Sequence, residues 1–181
     1  PTFIYEGKFN FNPFYSNFEG STKKINLNYF FDSNSMLVQL LKTQMLNNKN
    51  IDFKLKINAK NIFNNFDFVD FIINSKIQDG LIDIDNTSFK WKNFIDFKIE
   101  ESLIYVKSGE LVLDGKLSID INNYSRLYKY LLTPRNYRKE MKNIDLNFTY
   151  NFDQKIANLT DIKIDKKIDT NLNKIFGNVL L

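Results

Sequence analysis

The chain has 181 residues, is 43% hydrophobic and 15% aromatic, and carries a formal charge of +4. That composition can bury a core and excludes intrinsic disorder, and the small cationic excess, with Lys interleaved among Asp and Asn, describes a solvated sheet face instead of a nucleic-acid footprint. With no His and no Cys, disulfides, Cys/His zinc sites, cysteine nucleophiles and a Ser–His–Asp triad are excluded within this chain.

Alternation dominates from the start. Phe3, Tyr5, Gly7, Phe9 and Phe11 alternate with Ile4, Glu6, Lys8, Asn10 and Asn12 up to Pro13, which stops the strand. A second strand is expected from Phe18 to Phe31, with Ile25, Leu27, Tyr29 and Phe31 on one face. Asp32-Ser33-Asn34-Ser35 is a helix N-cap cluster, and Met36–Leu46 follows with Leu37, Leu40, Leu41 and Gln44 at helical spacing. So short a helix must dock its stripe on something. Ile51, Phe53, Leu55, Ile57 and Ala59 form the least ambiguous strand, and 68–78 a blurred one. Asp79-Gly80 signals a hairpin. Apolar parity changes between Ile84 and Phe89, which predicts a bulge or bend at 85–88. Ile95, Phe97 and Ile99 lead through Glu100-Glu101 to Leu103 and Tyr105, and Ser108-Gly109 turns the chain again.

The stretch 110–130 organises the rest. Leu111, Leu113, Gly115, Leu117, Ile119 and Ile121 share one face of a strand. A short helix, Tyr124–Leu132, follows and stops before Pro134. Thr133–Lys142 is a basic patch containing Arg135, Arg138 and Lys139. Ile144, Leu146, Phe148, Tyr150 and Phe152 make the next strand, 156–165 returns, and Asp169–Phe176 has the pattern of a last short helix. The sum is nine or ten strands and two or three short helices, without βαβ spacing. It predicts a mainly β fold with minor helix: a curved, twisted, antiparallel meandering sheet with one apolar face. A strand–helix–strand pattern near 18–59 and 110–150 hints at a loose repeat. The chain opens without Met inside a strand pattern and ends abruptly on Leu181, so the expectation is one β-rich segment, 1–181, of a longer chain. No apolar run reaches membrane-spanning length and no signal peptide is present.

Each strand offers four or five large inward residues, more than the few helices can cover, and leaving them wet costs about 25 cal/mol per Å². The face must close as a sandwich or barrel, be covered by neighbouring parts of the chain, or form a groove for a lipid. Here the texture of Leu111–Ile121 with its helix, of Arg138–Phe148, and of Gly80–Ile84 with Phe89-Lys90-Trp91 resembles the AsmA-like family of envelope proteins, which are related to bridge-like lipid-transfer proteins. The resemblance implies a periplasmic location, a parent anchored in the inner membrane, a groove-forming β-sheet, no catalytic residues and no cofactor. It implies phospholipid or another acyl-chain lipid as partner, membrane contact through parts of the parent outside this chain, and no nucleic acid. The candidate lipid-binding face comprises Phe53, Leu55, Ile57, Leu111, Leu113, Leu117, Ile119, Leu146 and Phe148, with Arg135, Arg138 and Lys139 toward the headgroups. Polar substitution of Phe53, Leu113 or Leu117 is then expected to reduce lipid loading. The competing expectation is a structural or adhesive β-sandwich with a closed core. One curved sheet would favour the groove, and two packed sheets the sandwich. Trp91 has the pattern of a packed or sheet-edge aromatic. Nothing fixes Glu100-Glu101 at a glycosidase spacing, and Asp83 with Asp85 lacks a calcium-binding glycine loop.

Overall fold

Two-residue turns set the register of the sheet. Asp79-Gly80 and Ser108-Gly109 place both central residues at positive φ, the twist that suits a tight hairpin. Gln78 pairs with Leu81 and Lys107 with Glu110 across them. In the computed structural model, which describes residues 4–11, 14–63, 65–170 and 179–180, these hairpins belong to one twelve-stranded sheet. The strands are β1 (Ile4–Phe11), β2 (Phe14–Ile25), β3 (Ile51–Ile62), β4 (Asn65–Gln78), β5 (Leu81–Asp83), β6 (Ser88–Trp91), β7 (Ile95–Lys107), β8 (Glu110–Ile121), β9 (Asn143–Asn151), β10 (Ile156–Ile164), β11 (Lys167–Ile168) and β12 (Val179–Leu180). Their order is β1-β2-β3-β4-β5-β7-β8-β9-β10-β11, with β6 bridging β4 and β7 and β12 on β10. This is the mainly β, curved sheet that the alternation predicts. Phe3, Asn12-Pro13 and residues 171–176 of the expected last helix lie outside the described residues.

One pairing departs from the expected meander. β2 and β3 run parallel, Phe14 opposite Ile51 and Ile25 opposite Ile62. The strand expected to reach Phe31 stops at Ile25, and a single helical turn, α1 (Asn28–Phe31), and then α2 (Met36–Lys42) occupy the connection. Residues 26–50 are long enough to bring the chain back to the end of the sheet where β2 began, which a parallel return requires. The second strand–helix–strand unit, β8–α3–β9 with α3 (Tyr124–Tyr130), returns antiparallel. The two units are therefore not copies of one repeat.

Short polar residues cap α2 and α3. Ser35 Oγ accepts the Val38 N–H at 3.2 Å, and Asn123 Oδ1 accepts the Arg126 N–H at 2.9 Å. Only Val38 and Leu41 of α2 are buried. Leu37 and Leu40, expected in its docking stripe, remain exposed, because a seven-residue helix presents just one i, i+3 pair to the sheet.

Three strands carry the same irregularity. Asp70 in β4, Glu101 in β7 and Asp161 in β10 have positive φ, and each, with the residue after it, stands against a single residue of the neighbouring strand. The second residue of each bulge, Phe71, Ser102 or Ile162, is buried. The first reaches a donor on the next strand: Asp70 lies 3.7 Å from Lys90, Glu101 pairs with Lys116, and Asp161 accepts from Asn147 at 2.7 Å. In β7 the bulge reverses the alternation. Ile95, Phe97 and Ile99 are followed on the apolar face by Ser102, Ile104 and Val106, not by Leu103 and Tyr105 as alternation alone would have it. Tyr105 instead donates to Asp114 Oδ2 at 2.6 Å on the wet side. That bond, with burial second, pushes its hydroxyl pKa up to about 12. Deleting Glu101 leaves Ser102 opposite Gly115 and Leu103 opposite Asp114, so no side chain changes face. The deletion should cost about 1–2 kcal/mol in a urea titration. Complete unfolding would show the bulge to be indispensable.

Candidate functional site: the apolar face of the sheet

Residues directly opposite one another in a ladder project from the same face. One row runs Phe53, Ile77, Ile82, Ile104, Leu113, Tyr150, Ala157 from β3 to β10. A second joins Ile99, Leu117 and Leu146, and a third joins Phe97, Ile119, Ile144 and Ile164. Leu55 and Ile57 continue the face along β3, and Leu111 along β8. Phe148 lies opposite Gly115, where a Cβ would come within 3.1 Å of the Phe148 ring and 3.3 Å of Ser102 Cβ. All nine apolar candidates therefore share one face.

The structure divides them in a way alternation does not show. Residues 26–50 cross the apolar face as a strap. Leu27 and Phe30 pack on Ile25, Ile57, Ala59 and Phe71. Phe31 meets Tyr150 and Phe152, with ring centroids 5.8 and 6.1 Å apart. Val38 and Leu41 close over Ile77, Ile82, Ile104, Leu111 and Leu113. Lys42 Nζ ends the strap 2.6 Å from Asp153 Oδ1, and Asp153 Oδ2 accepts the Leu111 N–H at 3.0 Å. The hydrogen bond from Lys42 holds the Asp153 carboxyl below its ordinary range. Ile57, Leu111 and Leu113 are buried in the clusters the strap covers, Leu146 is buried in the row of Leu117, and Phe53, Leu55, Leu117, Ile119 and Phe148 are only half-buried. The chain exposes 11973 Å², against about 9,200 Å² for a compact monomer of its mass.

A second apolar knot closes the far end of the face. Phe71 stacks on Phe89 (5.0 Å, 6°) and Phe89 on Phe97 (4.7 Å, 13°). Trp91 packs edge-on against Tyr130 at 5.2 Å and lies near Phe94, a packed role for the one tryptophan. Leu127 and Tyr128 of α3 are buried. From Leu111 beneath the strap to Ile121 beside α3 is about 33 Å along β8, and Leu117 and Ile119 lie between.

Arg135, Arg138 and Lys139 stand apart from the strands in sequence. They lie on the connection between α3 and β9, Arg135 in a 3-10 turn (Arg135–Tyr137). Arg138 Nε donates to the Thr133 carbonyl at 2.8 Å, and the Lys139 carbonyl accepts from the Tyr128 hydroxyl at 2.8 Å.

Several acidic groups are engaged in the sheet. Asp85 Oδ1 accepts both the N–H and the hydroxyl of Ser102 at 2.6 Å, satisfying the bulge amide. Burial raises the Asp83 pKa, and Glu100 accepts from Lys98 at 2.6 Å. Among the described residues no three acidic side chains gather as a metal site would need, and no helix is long and apolar enough to cross a membrane. Two polar clefts, of about 540 and 370 Å³, are lined respectively by Glu140, Lys142 and Asp165 and by Lys54, Lys56, Lys76 and Asp83 among others. Sequence reasoning placed Leu41 in a docking stripe and Phe31 on a strand, but missed Val38 and did not assign any of the three to the cover of this face. The signal for Val38 and Leu41 was their i, i+3 spacing directly after the Ser35 cap. No protein-family model, no curated protein and no solved structure matches the chain.

Proposed function

We propose that the chain is a non-enzymatic lipid-handling segment of an AsmA-like envelope protein, in which acyl chains of a phospholipid lie on the apolar face while headgroups stay in water. On this reading the parent faces the periplasm, is held at the inner membrane by parts outside this chain, and supports phospholipid transport or outer-membrane homeostasis. No covalent chemistry is involved. The observation that carries the reading is the single sheet: all twelve strands belong to it, and Phe53, Leu55, Leu117, Ile119 and Phe148 on its apolar face keep part of their surface. A strand of twelve residues is about 40 Å long, room for an extended acyl chain along its length. Half-buried apolar rows of this extent normally mark a binding surface. The strap favours the second reading over its own portion of the face, where Val38 is fully buried as in a closed core.

Native mass spectrometry with lipid extraction tests the proposal. The chain should carry co-purifying phospholipid, and Leu117→Asp should abolish that load while circular dichroism stays β-rich. Leu117 lies outside the strap-covered cluster, so the substitution leaves that core intact. An apo mass from the unsubstituted protein with a cooperative melt would sink the groove and leave the structural module.

A further inference from the structure

Cationic charge in this chain is concentrated in one place. Residues 124–142 hold Arg126, Lys129, Arg135, Arg138, Lys139 and Lys142 against the single carboxylate of Glu140, a net +5, whereas the whole chain is +4. The rest therefore nets −1, and the wet face of the sheet is zipped by cross-strand pairs such as Lys56–Glu19 at 2.8 Å. The same short segment exposes apolar side chains. Leu132 is 86% exposed, Tyr137 69%, Leu131 55% and Tyr130 46%.

Two of these residues are held outward by the local backbone. Leu131 closes α3, its N–H donating to the Leu127 carbonyl. Leu132 follows at φ 53, the left-handed position that glycine usually fills after a helix. A leucine there costs about 1–2 kcal/mol and gains no packing in the isolated chain. Thr133 N–H donates to the Tyr128 carbonyl and Arg138 Nε to the Thr133 carbonyl, so the loop is pinned with the two leucines at its apex. Asp165 accepts the N–H groups of Lys142 and Asn143, which lowers its pKa and fixes the return of the loop to β9.

We propose that this tip, from α3 through the 3-10 turn, docks on an anionic membrane surface. Leu131 and Leu132 enter beneath the headgroups, Tyr137 sits at the interface, and Arg126, Lys129, Arg135 and Lys139 meet lipid phosphates. An apolar apex ringed by cations matches the layering of an anionic bilayer. A nucleic acid would reward the cations but not the leucines. The tip lies at the α3 end of the sheet, so docking sets the apolar face endwise to the bilayer. The inference stands on the tip alone and holds whether or not lipid occupies the face.

Co-sedimentation of the full chain with extruded vesicles tests it. Vesicles of phosphatidylcholine with 30% phosphatidylglycerol should bind the protein at least tenfold better than phosphatidylcholine alone, and raising NaCl to 0.5 M should abolish the difference. The double variant Leu131→Asn/Leu132→Asn and, separately, Arg135→Ala/Lys139→Ala should each weaken binding about tenfold without lowering the melting temperature, which the Asn pair should raise by relieving the left-handed leucine. These side chains are exposed, and Arg138, which holds the loop, is left in place. Absence of binding to the anionic vesicles would overturn the proposal. So would retention of binding by the leucine variant, which would mark a general polyanion surface instead. Lipid co-purification is read separately, so failure of docking and failure of the groove are distinct outcomes.

Discussion

Leu113→Asp should unfold the protein or lower its melting temperature by more than about 10 °C. Leu113 is 4% exposed, with Val38 and Leu41 of the strap above it and Ile104 and Tyr150 beside it in the sheet. The substitution forfeits about 2–3 kcal/mol of leucine burial and places a carboxyl where no donor waits, so the group must be buried charged or take up a proton. Together these cost at least about 4–5 kcal/mol, and in a domain of this size each 1 kcal/mol moves the midpoint by about 2–4 °C. Leu113→Ala, which leaves a cavity but no charge, should cost about 3 kcal/mol. Thermal melts followed by circular dichroism measure both. A melt within a few degrees of the unsubstituted protein would mean that the strap does not seal this part of the face. Alternation places Leu113 and Leu117 together as reporters of lipid loading. The strap separates them: Leu113 reports folding, and Leu117 is the position at which the proposed lipid load is tested.

Phe71→Ala should cost about 3–5 kcal/mol, read as a shift in the urea midpoint. Phe71 is 5% exposed and is the second residue of the β4 bulge. Its ring lies parallel to Phe89, which lies parallel to Phe97, so one column of rings spans β4, β6 and β7. A double-mutant cycle with Phe89→Ala should show coupling of about 1 kcal/mol beyond the separate losses. Additive losses would mean that the column is ordinary hydrophobic burial and that its parallel geometry adds nothing.

Much of the fold was legible because the chain states it locally. A turn written Asp79-Gly80 or Ser108-Gly109 leaves little freedom in pairing, and the regular faces of β3 and β8 follow from alternation alone. What could not be read were features decided by distant partners. Between Ile99 and Ile104 the sequence offers apolar residues of both parities, Leu103 and Tyr105 as well as Ile104 and Val106. The choice between them is made by Asp85, which takes the Ser102 amide. Likewise Ile25, Leu27, Tyr29 and Phe31 alternate as well as any strand, yet the chain leaves the sheet after Ile25. The reason is tertiary: Phe30 finds its place in the cluster around Ile57 and Phe71, and Phe31 on Phe152. The candidate face was legible as a face, since its parity is local. Its division into a sealed part and an open part was not, because the strap that seals it belongs to another stretch of the chain. The basic loop was visible as composition, but its exposed leucines became meaningful only once α3 was seen to end at Leu131.

The strap also imposes an order on how the molecule comes together. The hairpins β4–β5 and β7–β8 close over two residues and can form within microseconds, as soon as their own strands exist. The parallel pair β2–β3 has no such shortcut. Its connection rests on Phe152 and Asp153, and Lys42 meets a carboxylate 111 positions further along the chain. On the ribosome, where the amino-terminal part emerges first, Phe31 and Lys42 cannot find their partners until β9 and the turn after it have been synthesised. Those contacts therefore form well after the strands they hold have been made. During that interval Phe9, Phe14 and Phe18 are without the finished sheet, and the nascent chain is at its most vulnerable to pairing with the wrong partner.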